Sequence, residues 1–293
     1  MCASCGKAAV DDVKLKKCAC DIVKYCSVDC QKNHRPQHKK ACKKQLAQIR
    51  DDELFTQNEI SHLGECPICC LPLPLGQGKS KMNACCSQRI CLGCAHANEK
   101  REVEQGLEPR CAYCREVVPI TDEDIESNSK KRFKANDPVA ITEMGFKCYD
   151  EGDFDGAVEY WTRAAGLGHE TAHYNLSMLY TKGEGVDRNK KKAMYHLEEA
   201  AIRGHPNARY GLAYAEELNG MTERAMRHYI IAAKLGDDGA LEAVKKGYQG
   251  GDVSKEDFEA ALRGHQAAVD ATKSELREEA YAWFKQNADQ LRF

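Results

Sequence analysis

The sequence predicts a multidomain protein in which two small, irregular modules of mixed structure precede an all-α solenoid of helical repeats. Cysteine placement is the first reason: 16 of the 17 cysteines lie before residue 115, mostly in closely spaced pairs. The second reason is a phrase, Ala-Ala-x-x-Gly, that recurs beyond residue 138 at intervals of 36 and 32 residues. A fixed period of this size is typical of stacked helical repeats.

The composition favours an intracellular protein of two or three domains. The chain has 293 residues and a formal net charge of -2. It shows neither a basic stretch followed by an apolar run at its start nor an apolar run of about 18 residues, so we expect no signal peptide and no membrane contact. In a reducing cytoplasm and/or nucleus, clustered cysteines bind metal rather than form disulfides.

The first module spans residues 1–45 and has enough ligands for two tetrahedral zinc ions. Because a module this short cannot bury a sufficient core, zinc would supply its folding free energy. His38 and Cys42 are four residues apart, which places them on one face of a short helix. His34 is predicted to face solvent rather than a metal. The candidate ligands are Cys2, Cys5, Cys18, Cys20, Cys26, Cys30, His38 and Cys42.

The run from Tyr25 to Gln31, followed by the run from His38 to Cys42, resembles a MYND zinc finger. The resemblance implies a protein-binding module with interleaved ligands. One zinc ion would be held by Cys2, Cys5, Cys26 and Cys30, and the other by Cys18, Cys20, His38 and Cys42. Residues 1–50 contain twelve Lys or Arg against four Asp. No aromatic residues interleave with these charges, so we interpret them as a solvated face and expect no nucleic-acid partner.

Residues 46–63 are predicted to form a helical connector between the two modules. Apolar residues such as Leu46, Ile49 and Leu54 recur there at helical spacing. Gly64 is expected to end this helix.

The second module spans residues 64–120 and predicts two more zinc ions, four for the whole chain. Three C-x-x-C pairs and one adjacent cysteine pair supply eight sulfur ligands, and interleaved pairs of this kind are a strong metal signal.

This module resembles a RING finger of the all-cysteine type. The resemblance implies one site from Cys66, Cys69, Cys91 and Cys94 and a second site from Cys85, Cys86, Cys111 and Cys114. Adjacent ligands are geometrically tight, so Cys70 or His96 could replace either Cys85 or Cys86.

The resemblance also implies a role without bond chemistry of its own. RING fingers bind a ubiquitin-charged conjugating enzyme and orient its thioester. Two positions would contact that enzyme: Ile68, between the first two cysteines, and Arg115, directly after the last one. We predict no catalytic residue within the chain.

Residues 121–137 are predicted to form a charged helical linker, which begins at Thr121. Residues 138–293 form the repeat domain, which resembles Sel1-like repeats, relatives of tetratricopeptide repeats. Cys148 is interpreted as an apolar filler.

Within the repeats, small side chains let paired helices approach closely, aromatic side chains fill the gaps, and glycines end the second helix of each pair in the left-handed conformation. The small residues are Ala164, Ala165, Ala200 and Ala201, the aromatic ones Tyr160, Trp161, Tyr180 and Tyr195, and the glycines Gly168 and Gly204. From about Ser254, one or two capping helices follow.

Two functional hypotheses follow from the combination. In the first, the chain is a RING-type ubiquitin-ligase adaptor that recruits a conjugating enzyme and binds a protein ligand on the concave face of its solenoid. In the second, it is a non-enzymatic zinc-finger scaffold or transcriptional adaptor that only binds proteins.

Overall fold

The computed structural model describes residues 1–5, 15–76, 78–119 and 121–287. The chain divides into two compact units, residues 1–56 and residues 57–293. Among the described residues, the strands form two antiparallel pairs, β1 (Lys16–Lys17) with β2 (Lys24–Tyr25) and β3 (Ser80–Asn83) with β4 (Gln88–Cys91). The helices are α1 (Val28–Phe55), α2 (Leu92–Glu104), α3 (Asp122–Lys134), α4 (Pro138–Asp150), α5 (Phe154–Gly166), α6 (Glu170–Lys182), α7 (Lys190–Ile202), α8 (Pro206–Leu218), α9 (Thr222–Lys234), α10 (Asp238–Gly250), α11 (Lys255–Ala271) and α12 (Glu275–Gln286).

The first unit consists of the β1–β2 ribbon and one long helix. Helix α1 begins after Ser27, whose side chain accepts a hydrogen bond from the backbone N–H of Cys30, as expected of an N-cap. The helix runs for 28 residues instead of the short helix predicted around His38. It therefore carries ligands in its first turns and continues well beyond the metal-binding part.

The predicted helical connector over residues 46–63 is helical only as far as Phe55, because Thr56 adopts an extended conformation. The residues that follow make their hydrogen bonds with the repeats instead. Asn58 Nδ2 donates to the carbonyl of Ile202 at 3.1 Å, and the His62 N–H donates to the carbonyl of Gly204 at 3.1 Å. These partners replace the bonds that a continued helix would have made.

The second unit begins with the second cysteine module, in which tight turns present the sulfur atoms. In the first turn the Cys70 N–H donates to the carbonyl of Cys66, and in the last the Arg115 N–H donates to that of Cys111. Cys70 and Arg115 both have positive φ, 55° and 64°. The left-handed conformation costs free energy for residues other than glycine. The backbone preferences of Cys70 and Arg115 therefore do not stabilise these two turns.

Helix α3 occupies the stretch predicted as a charged helical linker and packs against the helical array. Thr121 caps it by accepting from the Asp124 N–H. Near its end, the Phe133 ring packs edge-on against Tyr160 at 5.7 Å, and the Arg163 guanidinium lies 4.5 Å above the same ring.

Helices α4 to α9 form three antiparallel pairs of 13-residue helices, which confirms the predicted helical-repeat solenoid. Ala164, Ala200 and Ala201 are fully buried, as close helix packing requires. Gly168 and Gly204 have φ of 86° and 82°, so both end their helices in the left-handed conformation as predicted.

The aromatic prediction is only partly correct. Trp161 is buried and donates from Nε1 to the carbonyl of Thr142 at 3.1 Å. Tyr195, predicted to fill a gap between helices, is 53% exposed. The space beside it is occupied by the imidazoles of His173 and His196, whose Nδ1 atoms lie 3.0 Å apart.

The last described helix packs against the second cysteine module. Helix α11 packs against α9 and α10, and α12 packs against α2. A Cβ atom on Gly93 would lie 2.8 Å from the backbone nitrogen of Arg277, so glycine is required there for the two helices to meet. Of the one or two capping helices predicted from about Ser254, α11 covers the repeats and α12 lies against the second cysteine module, while residues 288–293 lie outside the described residues.

Candidate metal centres

Four ligand clusters occur among the described residues, and they are the four sets that the sequence predicts. In each cluster all four ligand atoms lie within 4.8 Å of one another. We number the centres in chain order. The first two centres belong to the first unit and the other two to the second.

The first two centres are built around the start of α1. In the first, Cys26 Sγ lies 3.6 Å from both Cys5 Sγ and Cys30 Sγ, and Cys2 completes the set.

In the second centre, His38 Nε2 lies 3.0 Å from Cys20 Sγ, and Cys18 Sγ lies 3.7 Å from Cys42 Sγ. His34 is not a ligand. It is half-buried, since its Nδ1 lies 3.0 Å from the Tyr25 hydroxyl and its ring stacks on His38.

The third centre joins the first tight turn of the second module to the start of α2. Cys69 Sγ lies 3.8 Å from Cys91 Sγ. Backbone N–H groups surround the sulfur atoms: the Cys91 N–H donates to Cys66 Sγ and the Cys94 N–H donates to Cys91 Sγ, both at 3.4 Å. Such bonds stabilise the thiolate form that a metal requires.

The fourth centre uses both adjacent cysteines. Cys86 Sγ lies 3.9 Å from Cys111 Sγ, and Cys85 Sγ lies 3.3 Å from Cys114 Sγ. The two alternative ligands lie outside all four clusters. Cys70 is exposed, and the buried His96 ring packs on Trp283 at 4.9 Å.

These donor sets fit zinc. A tetrahedral zinc ion with Zn–S bonds of about 2.3 Å separates its sulfur ligands by about 3.8 Å, and the observed separations of 3.3 to 3.9 Å bracket that value. Three centres offer four sulfur atoms and the second offers three sulfur atoms and one imidazole nitrogen. All four are closed sets typical of structural zinc.

Zinc would displace protons on binding. Burial and hydrogen bonding to Cys91 raise the pKa of the Cys94 thiol, and burial and hydrogen bonding to Cys114 raise the pKa of Cys85. Metal-free thiols with raised pKa values hold their protons at neutral pH, so zinc affinity must fall as the pH falls.

Two arginines from the helical array contact the loops that carry the third and fourth centres. Arg277 on α12 is fully buried and donates from Nη2 to Cys69 Sγ at 3.4 Å. Arg132 on α3 donates from Nη2 to the carbonyl of Cys86 at 3.1 Å. Neither arginine shows a signal in the sequence, because each is more than 40 residues from the cysteine it contacts.

The two predicted conjugating-enzyme contacts lie on the surface of the second module. Ile68 is 41% exposed between two ligands of the third centre. Arg115 is exposed, and its guanidinium donates to Asn98 Oδ1 on α2 at 2.9 Å. Asn98 in turn donates to the carbonyl of Arg110 at 3.0 Å. The loop after the last ligand is thereby attached to α2.

No helix in the described part of the chain combines the length and the apolar character needed to cross a membrane.

Comparison with known families assigns the first module and the repeats. Residues 2–42 match the MYND finger model. Residues 138–169, 171–205 and 206–237 match the Sel1 repeat model. The chain therefore combines a MYND zinc finger with three Sel1 repeats, which are protein-interaction modules.

Individual relatives cover small parts of the chain. The uncharacterized protein NMB1327 of Neisseria meningitidis is 34% identical over 30% of this chain and 20% of its own length. A protein of Ostreid herpesvirus 1 named "Putative RING finger protein ORF96" is 40% identical over 20% of this chain and 26% of its own length. The chain thus spans about a fifth to a quarter of these two relatives. The crystal structure of a Sel1 repeat protein from Oxalobacter formigenes covers 67% of this chain and 86% of its own, with 21% identity and a TM-score of 0.43.

Proposed function

We propose that this zinc-finger and Sel1-repeat protein acts as a RING-type ubiquitin-ligase adaptor. The second module would recruit a ubiquitin-conjugating enzyme, and the repeats and the MYND finger would bind the protein to be modified. One observation supports this most strongly: pairs of ligands belong alternately to the third and the fourth centre along the chain. This is the cross-braced order of RING fingers.

The exposed side chains of the module support the same proposal. Ile68 and Tyr113 lie next to zinc ligands and are 41% and 48% exposed. Exposed apolar side chains on a small, rigid frame are typical of a protein-binding surface. Arg115 lies directly after the last ligand, and its guanidinium offers several donors of fixed geometry to a bound partner.

The chain would act without a nucleophile of its own. Its contribution would be to hold two proteins together so that the thioester of one meets an amine of the other, an effect of proximity and orientation. Because all 17 cysteines are free of disulfides, we place this activity inside the cell, in the cytoplasm and/or the nucleus.

The test is a self-ubiquitylation assay with the full chain and a panel of conjugating enzymes. Ile68→Ala and Arg115→Ala should each reduce the rate by at least about tenfold, equivalent to a loss of about 1.4 kcal/mol of binding. Ile125→Ala is a matched control, because Ile125 is also 41% exposed but lies on α3. Arg263→Ala on α11 controls for the loss of an exposed arginine.

Two results would contradict the proposal. One is absence of ubiquitin transfer with every conjugating enzyme; the other is transfer that is unchanged in both variants. Stable capture of protein partners without any transfer would then favour the non-enzymatic scaffold or transcriptional adaptor.

A further inference from the structure

The Arg277 side chain is buried beside the third zinc centre. It is fully inaccessible to solvent, and burying a guanidinium without compensation is costly. No carboxylate contacts it among the described residues; it hydrogen-bonds to backbone carbonyls and to two sulfur ligands of the third centre, Cys69 and Cys91. Nη1 donates to the carbonyls of Pro72 and Thr272 at 2.8 and 2.6 Å, and Nη2 donates to the carbonyl of Leu71 at 3.2 Å and to Cys69 Sγ at 3.4 Å.

The charge of a loaded centre provides the missing compensation. A zinc ion with four thiolate ligands carries two net negative charges, and Cys66, Cys69, Cys91 and Cys94 are such a set. The Arg277 guanidinium lies against this set while it also holds the carbonyls of Leu71 and Pro72, which follow the first tight turn. It therefore bonds both a ligand and the loop that positions that ligand.

We propose that Arg277 is a positioning residue of the third zinc centre, which orients Cys69 toward the ion and couples zinc retention at this centre to the docking of α12. The coupling is reciprocal by thermodynamic linkage. Removal of the guanidinium weakens zinc binding, and removal of the zinc ion weakens the docking of α12. The inference does not depend on ubiquitin ligation.

The first experiment is zinc competition on the full chain with a chromogenic chelator, in wild type, Arg277→Gln and Trp283→Ala. Arg277→Gln should lower the apparent affinity for one of the four zinc ions by about 10- to 100-fold, the usual effect of removing a group that orients a ligand. Trp283→Ala weakens the packing of α12 on His96 without touching a sulfur atom, so through the same coupling it should lower the affinity, but by much less than Arg277→Gln. Unchanged affinity in Arg277→Gln, or an equal loss in both variants, would overturn the proposal.

A second measurement covers the case in which Arg277→Gln does not fold. Arg277→Lys keeps the charge but replaces the planar fork by a single ammonium. In the cadmium-113 NMR spectrum of the cadmium-loaded full chain, this change should shift one of the three resonances from the sulfur-only centres and leave the other two in place. A spectrum that matches wild type, or one in which all three resonances move, would show that Arg277 has no specific effect on Cys69.

Discussion

The close approach of α12 to α2 gives a sharp test of the fold at Gly93. In Gly93→Ala, the new Cβ would lie 2.8 Å from the backbone nitrogen of Arg277 and 2.9 Å from the carbonyl oxygen of Leu276. Ordinary contacts begin near 3.4 Å, so α12 would have to move away by more than half an ångström. Both contact atoms belong to backbone, so no side chain can turn aside to make room.

The expected magnitude combines two opposing effects. Forced overpacking costs about 1–3 kcal/mol, and alanine gains about 0.5–1 kcal/mol over glycine within a helix. The net effect is a destabilisation of the docked α12 by about 1–2 kcal/mol, and a change of that size alters an equilibrium by about 5- to 30-fold. The ligands Cys91 and Cys94 on either side are untouched.

Hydrogen–deuterium exchange measured by mass spectrometry checks this expectation. Peptides that cover Glu275–Gln286 should exchange about 5- to 30-fold faster in Gly93→Ala, while peptides from α6 and α8 stay unchanged. Gly166→Ala is the matched control, because a Cβ on Gly166 would meet no atom within 4 Å; it should stabilise the chain slightly. If α12 exchanges in Gly93→Ala as slowly as in wild type, the helix contact at Gly93 is not as described.

Three further predictions concern the core, the metal centres and pH. Trp161→Phe loses the hydrogen bond from Nε1 to the Thr142 carbonyl and leaves a void, so unfolding monitored by circular dichroism should show a loss of about 1–3 kcal/mol. By zinc analysis, Cys114→Ser should retain three of four zinc ions, whereas Cys148→Ser, at a residue that packs against the core around Trp161 and belongs to none of the ligand clusters, should retain all four. Burial lowers the pKa of His205 from 6.5 to about 3, so the unfolded chain binds more protons between these values and stability falls as the pH drops below 6.5. From pH 7 to pH 5 the loss in free energy of unfolding is about 2 kcal/mol. The variant His205→Asn can still accept from the Ala208 N–H. In denaturant titrations at the two pH values it should lose less stability than wild type.

The metal-binding residues could be predicted from sequence because their signal is local. Each tight turn supplies two ligands from residues that are neighbours in the chain, and the resemblance to MYND and RING fingers implies how the pairs combine. The adjacent pair Cys85 and Cys86 stayed ambiguous, since no spacing in the sequence excludes Cys70 or His96 as a ligand. Burial of His96 against Trp283 is a contact across the whole chain, and no local spacing encodes it.

The repeats were predictable for a related reason. Each helix pair packs on its neighbours, so small residues and glycines recur in the sequence at the same interval as the helix pairs. The ends of the array were not predictable in this way. The apolar residues of α12 indicate an amphipathic helix but not which surface it covers, and the polar residues Asn58 and His62 showed no pattern that would assign them to the repeats.

The contacts at both ends of the second module would restrict its orientation relative to the repeats, which matters for the proposed ligase function. Asn58 attaches the segment before the module to the repeats, Arg132 attaches the fourth centre to α3, and Arg277 attaches the third centre to α12. A module on a flexible linker samples many positions, and its effective concentration at a bound partner is diluted accordingly. Here the exposed side chains of Ile68 and Arg115 belong to the same compact unit as the repeats. A protein held on the repeats would therefore meet the conjugating enzyme in a restricted set of orientations, and the position of its lysines relative to that enzyme would decide which of them are modified.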